Sequence, residues 1–210
     1  MNETATPSPE TERSTAFLTD MYELTMLDAA IKDGTAERNC TFEVFGRRMP
    51  NERRYGVVAG TERVLDAITK FRFTEDQLDV ADFLSDEARQ YLCNYKFAGQ
   101  IDGYREGDLY FPYSPIMTVR GTFAECVILE TVILSILNSD SAVASAASRM
   151  VSAADGRPIM EMGSRRTNEQ AAVSAARAAY IAGFSSTSNM EASLRYGICL
   201  LYTSPSPRDS

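Results

Sequence analysis

The chain has 210 residues, a formal net charge of −8, 44% hydrophobic and 24% charged residues. This is the balance of an ordinary globular protein, and the acidic excess excludes the broad basic footprint of a general nucleic-acid binder. There is no histidine, and Cys40, Cys93, Cys126 and Cys199 form no CxxC pair, which argues against a zinc site.

Residues 1–14 are acidic and rich in Thr, Pro and Glu. They lack the basic and apolar regions of a secretory signal. They also carry too little apolar surface to offset ordering, so a disordered tail is expected. No apolar run approaches the ~20 residues that span a bilayer; the longest, Cys126 to Leu137, is interrupted by Glu130 and Thr131. A cytoplasmic protein with buried free thiols and no membrane partner is the expectation.

A first helix is predicted from about Asp20 to Asp33, with Met21, Leu24, Leu27 and Ile31 at helical spacing and Gly34 as its stop. Cys40, Phe42 and Val44 alternate with polar residues, as in a half-buried strand, and Tyr55 to Ala59 reads as another. Thr61 opens a helix carrying Val64, Leu65 and Ile68. Thr74 with Gln77 makes a capping box, and Ser85 caps a further helix that ends near Leu92. From Phe97 to Val119, Gly99, Gly103, Gly107, Pro112 and Pro115 punctuate short β-rich pieces.

A buried helix then starts at Thr122, boxed by Glu125, and an Ala/Ser-rich helix is expected at about Ser141 to Ala153. After it the order is strand (Pro158 to Met162), helix (capped by Thr167 with Gln170), strand (Phe184 to Thr187) and helix (Asn189 to Tyr196). Such alternation implies parallel strands joined by crossover helices. Ligands in such folds bind at the carboxyl ends of the strands, which singles out the loops Gly163 to Arg166 and Ser188 to Asn189. Arg165 and Arg166 supply planar forks for carboxylate or phosphate beside a helix amino end. Taken alone, they also read as a solvated surface pair.

Several segments together carry a family resemblance. They are Leu18-Thr19-Asp20-Met21-Tyr22-Glu23-Leu24-Thr25-Met26; Phe42-Glu43-Val44-Phe45-Gly46-Arg47-Arg48-Met49-Pro50 with Gly56 to Gly60; and Glu106-Gly107-Asp108-Leu109-Tyr110-Phe111-Pro112. Further on come Leu129-Glu130-Thr131 through Asn138, Glu161-Met162-Gly163-Ser164-Arg165-Arg166, and Gly183-Phe184-Ser185-Ser186-Thr187-Ser188-Asn189. In this order, over residues 15–198, the chain resembles the nicotinate phosphoribosyltransferases, most closely the actinobacterial type.

The resemblance implies an α/β fold of the type II phosphoribosyltransferases: an amino-terminal α/β domain, residues 15–120, and then the helical pair and first part of an irregular α/β barrel, residues 121–198. The barrel would be truncated. Residues 199–210 are polar and proline-punctuated where a third barrel strand should begin, and are expected to be a non-native tail. A parallel barrel stopped there would leave an open edge of unpaired backbone groups, and loose folding is expected.

The implied reaction joins nicotinate to 5-phosphoribosyl-1-pyrophosphate in NAD salvage, in a homodimer, with ATP and Mg2+. Tyr22 would stack on the pyridine ring from the partner subunit. Arg47 would reach substrate phosphates across the dimer interface. Arg165, beside Arg166, would pair with the nicotinate carboxylate or a neighbouring phosphate. Ser188 stands where related nicotinamide enzymes carry an aspartate, which would repel an acid, so serine fits nicotinate. The phosphohistidine of ATP coupling has no counterpart in a chain without histidine, no catalytic residue is assigned, and no magnesium ligand can be. A quinolinate or nicotinamide phosphoribosyltransferase, and a non-catalytic binder of nicotinate or phosphoribosyl groups, are the alternatives.

Overall fold

A computed structural model describes residues 14–201. The expected amino-terminal tail apart from Ser14, and residues 202–210 of the carboxy-terminal segment, lie outside the described residues.

The first helix, α1, spans Met21–Asp33 and stops at Gly34, whose φ of 76° is left-handed and returns its N–H to the carbonyls of Ala30 and Ile31. Strand β1 (Asn39–Phe45) alternates in burial along its length. After a 3₁₀ turn at Pro50–Glu52 come β2 (Gly56–Val57), α2 (Thr61–Thr69), α3 (Glu75–Val80), α4 (Asp86–Cys93), β3 (Gln100–Gly103), β4 (Leu109–Tyr110) and β5 (Pro115–Thr122). The chain continues with α5 (Phe123–Val127), α6 (Glu130–Ala154), β6 (Met160–Glu161), α7 (Glu169–Ile181), β7 (Ser186–Thr187) and α8 (Met190–Tyr196). The capping boxes Thr74–Gln77 and Thr122–Glu125 both form, and Ser85 caps α4.

Four details differ from the sequence reading. The strand expected over Tyr55 to Ala59 shortens to β2, because the hydroxyls of Ser145 and Ser141 take the N–H groups of Val57 and Ala59 at 2.8 Å and 3.1 Å. The break between the two long helices falls at Ile128 and Leu129, and α6 runs unbroken through Ser141. Asn168, rather than Thr167, caps α7. All four cysteines are free thiols, but Cys93 and Cys199 are exposed rather than buried.

The stretch Phe123–Ala154 is, by length and composition alone, apolar enough to cross a membrane, which the broken apolar run had concealed. Half of its most apolar window is buried within the fold, and the core helices of globular proteins pass the same test.

The chain divides into two compact units, each assembled from separated stretches. The first comprises the chain up to Phe42, Arg63–Ile101 and Val119–Leu134; the second Glu43–Glu62, Asp102–Thr118 and the chain from Ser135 onward. In the first, α1 packs on α4 and α5 and buries Leu24 and Leu27, while Val64, Leu92, Val127 and Ile128 are also buried. An aromatic cluster closes this core: Phe71 meets Phe73 and Tyr95 edge-on, with centroids 5.6 Å and 5.5 Å apart. Arg89 donates to the carbonyls of Leu78 and Ala81 at 2.7 Å and 2.9 Å, satisfying the end of α3.

In the second unit β2 and β4 pair antiparallel, and β6 and β7 pair parallel with Met160 opposite Ser186 and Glu161 opposite Thr187. Its core is built of small side chains. Val57, Ala59, Ala144 and Ala178 form one cluster, and Ala147, Ala179 and Phe184 another. Cys199 to Leu201, placed outside the pattern by the sequence reading, lie parallel to β7. Thr187 N–H donates to the Cys199 carbonyl at 3.0 Å and Leu201 N–H to the Thr187 carbonyl at 3.1 Å.

Candidate functional site

The carboxyl ends of β6 and β7 form a rim. Ser188 N–H donates to the Glu161 carbonyl at 2.9 Å, which continues the parallel ladder past both strands. The Glu161 carboxylate then fixes the rim from below. It accepts the Thr187 hydroxyl at 2.7 Å and the backbone N–H of Gly163. A Cβ at Gly163 would meet Glu161 Oε1 at 2.7 Å, so the turn requires glycine for close approach. Above it, Asn189 Nδ2 donates to the Ser164 hydroxyl at 3.0 Å and ties the two loops together.

Arg165, Arg166 and Ser188 all stand exposed on this rim. The structure thus brings the two expected loops together, and these three residues sit on them. The amino end of α7 is not a free anion cradle, because Asn168 Oδ1 already accepts from the N–H groups of Gln170 and Ala171, and Glu169 occupies the first turn. Anion recognition here therefore falls to the arginine side chains. Ser188 does not cap α8; Asn189 does, accepting from Ala192 N–H at 2.9 Å.

Arg47 belongs to the same unit but lines a cavity of about 720 Å³ whose walls include none of the rim residues. Arg48 and Arg53 share that cavity with Phe45, Tyr110 and Tyr113, and none of its described lining residues is acidic. It suits an anionic ligand with a flat or apolar part. Burial pushes the Tyr110 phenol up, against the pull of the Ser145 hydrogen bond and the Arg149 charge. Arg149 lies 4.3 Å from the Tyr55 ring centroid and donates to the Tyr55 carbonyl at 2.6 Å, which stiffens this wall.

Tyr22 lies on α1 in the first unit, with its ring 44% exposed. Local desolvation and the neighbouring Glu130 and Glu23 carboxylates push its phenol up to about 12, so it is neutral at physiological pH. Leu18, Met21 and Met26 are exposed beside it in sequence.

Residues beyond those expected also matter. Arg48 and Arg53 were legible only as charges near Arg47. Glu161 was visible as a motif position without a role. The Glu106–Arg177 ion pair had no sequence signal, since its members are 71 residues apart. Among the described residues no group of three His, Cys, Asp or Glu side chains could hold a metal ion, so no magnesium site is assigned.

Comparison with known proteins gives the class first. The crystal structure of human nicotinic acid phosphoribosyltransferase superposes with a TM-score of 0.83 at 27% identity, over 89% of this chain and 39% of that one. A nicotinate-nucleotide pyrophosphorylase from Pyrococcus furiosus shares the fold, with a TM-score of 0.72 at 23% identity over 98% of this chain and 46% of that one. The fold is that of the amino-terminal part of a type II phosphoribosyltransferase.

Sequence comparison then narrows the class. The family model for the nicotinate phosphoribosyltransferase (NAPRTase) N-terminal domain matches residues 17–138. Nicotinate phosphoribosyltransferase pncB1 of Mycobacterium tuberculosis is 61% identical over 90% of this chain and 43% of its own length. The nicotinate phosphoribosyltransferase of Bacillus subtilis is 36% identical over 88% and 39%. The chain belongs to the nicotinate phosphoribosyltransferase family, and it spans less than half the length of these relatives.

Proposed function

We propose that this chain contributes to a nicotinate phosphoribosyltransferase, which forms nicotinate mononucleotide and pyrophosphate from nicotinate and 5-phosphoribosyl-1-pyrophosphate. The observation that carries the reading is the tied rim at the ends of β6 and β7, where Arg165, Arg166 and Ser188 are presented by loops locked through Asn189 and Glu161. Two guanidinium forks beside a neutral hydroxyl favour a ligand bearing a carboxylate or phosphate over a neutral amide.

In the proposed reaction the pyridine nitrogen bonds to C1 of the ribose as the bond from C1 to pyrophosphate breaks. The protein's part is to hold the ring near C1 and to steady the negative charge that departs. Arg165 pairs with the nicotinate carboxylate or a neighbouring phosphate. Arg47, in a cationic cavity with Arg48 and Arg53, takes substrate phosphates. Tyr22 stacks on the pyridine from the partner subunit of a homodimer, a role supported by its half-exposed ring and by the exposed Leu18, Met21 and Met26 near it in sequence. Coupling to ATP through a phosphohistidine, with Mg2+, belongs to the same proposal. It requires a histidine and metal ligands outside these 210 residues, which contain no histidine. The proposed setting is the cytoplasm, in keeping with four unpaired cysteines.

The test is nucleotide formation by the protein that carries this chain, with nicotinate against nicotinamide, with and without ATP. Faster product formation from nicotinate, accelerated by ATP, is expected. Faster turnover of nicotinamide overturns the assignment of Ser188 and of the rim.

A further inference from the structure

We propose that Glu130 and Thr131, at the amino end of α6, are positioning residues that hold the Tyr22 ring in place for its ligand. The inference rests on the reading of Tyr22 as the pyridine-stacking residue. A ring 44% exposed on a helix surface would otherwise sample several rotamers, and each rotamer lost on binding would weaken affinity.

The structure removes that freedom. Two segments 108 residues apart interlock through Glu23, which is fully buried. Glu23 Oε1 accepts the Thr131 backbone N–H at 2.8 Å and the Thr131 hydroxyl as well, and Oε2 accepts the Thr19 hydroxyl. The Asp20 carboxylate reaches the same Thr131 hydroxyl at 3.5 Å. Glu23 thus clamps the first turn of α6 onto α1 one residue away from Tyr22, satisfying a helix amino-terminal N–H that would otherwise lack a partner.

The clamp sets Glu130 within reach of Tyr22. The Tyr22 hydroxyl is hydrogen-bonded to the Glu130 carboxylate, with the Thr131 hydroxyl beside it. The phenol is therefore held at its far end, while the ring face stays open to a flat ligand. Burying Glu23 without exchange for a cation is costly. Thr19 and Thr131 satisfy it with three donors and in doing so fix the geometry of its neighbour.

The experiment titrates nicotinate calorimetrically into the wild-type chain and into Tyr22→Phe, Glu130→Ala, Glu130→Gln, Tyr22→Ala and the Tyr22→Phe/Glu130→Ala double variant. Tyr22 phenol ionisation is followed in parallel by NMR of ring-labelled tyrosine. Tyr22→Phe and Glu130→Ala are each expected to raise Kd about two- to tenfold, with the double variant no worse than either alone. Glu130→Gln, which can still accept the phenol, should restore most of the affinity, and Glu130→Ala should bring the Tyr22 titration back toward the ordinary 10.0.

If Tyr22→Ala weakens binding while Tyr22→Phe and Glu130→Ala do not, the positioning role fails and stacking stands. Additive effects in the double variant also defeat it. If Tyr22→Ala binds as wild type does, or wild type does not bind nicotinate, the stacking reading fails and the inference with it. Tyr22→Phe removes the same hydrogen bond from a half-exposed side chain, so the test survives any misfolding of Glu130→Ala.

Discussion

Arg177 grips Glu106 with both terminal nitrogens, Nη1 to Oε1 at 2.8 Å and Nη2 to Oε2 at 2.6 Å, and the two side chains are only 8% and 12% exposed. The same carboxylate accepts the Gly60 N–H at 2.6 Å, at a backbone whose φ of 100° requires glycine. One ion pair thereby joins α7, the turn before β4 and the loop after β2 within the second unit.

Removing one partner leaves a buried charge alone. Arg177→Ala is expected to cost about 3–5 kcal/mol of stability, because Glu106 stays buried without its counter-ion. A double change to apolar residues, Arg177→Met with Glu106→Leu, should recover much of that. Urea denaturation of the three proteins checks it, and a double variant as weak as Arg177→Ala would refute the account.

The same pair sets an acid limit. Burial pushes the Glu106 carboxyl up, but Arg177 and the N–H groups of Gly60 and Glu62 outweigh it and hold it below the ordinary 4.5. Asp28 is likewise held below 3.8, by hydrogen bonds from Lys32 and then Ser85. Both groups have depressed folded values. Their stabilisation is therefore complete above the unfolded values and is lost as pH falls through the folded ones. Urea midpoints should drop steeply below about pH 4.5, and Glu106→Gln should flatten that slope.

At high pH the sign reverses. Burial holds the Tyr95 phenol far above the ordinary 10.0, and its hydroxyl donates to the Glu125 carbonyl at 2.8 Å. A raised tyrosine contributes stability fully below its unfolded value and loses it as pH climbs toward the folded one. Unfolding above about pH 10 is expected, and Tyr95→Phe should blunt it in a circular-dichroism pH titration.

Substitutions at the rim separate packing from recognition. Asn189→Ala removes the α8 cap and the tie to Ser164, and should cost about 1 kcal/mol while speeding amide exchange in residues 163–166. Ser188→Asp sits on an exposed rim position and should leave stability unchanged. Its added charge should weaken nicotinate at least about tenfold relative to nicotinamide, read as a ratio of dissociation constants. An unchanged ratio would remove Ser188 from specificity.

Local order was written in the sequence. Gly34 stops α1 because only a residue free to take a positive φ ends a helix that way. The boxes at Thr74 and Thr122 form because both partners lie three residues apart, and the alternation after residue 157 announced the parallel pair β6 and β7 with its two loops. What only tertiary structure decided was pairing across long separations. Examples are Ser141 and Ser145 taking the amides that shortened β2, Arg177 finding Glu106, and Glu23 capping α6 from α1. Each is a buried polar group whose need for a partner is fixed by its chemistry, while the partner's identity follows from which segments the chain brings into contact, and no local periodicity encodes that.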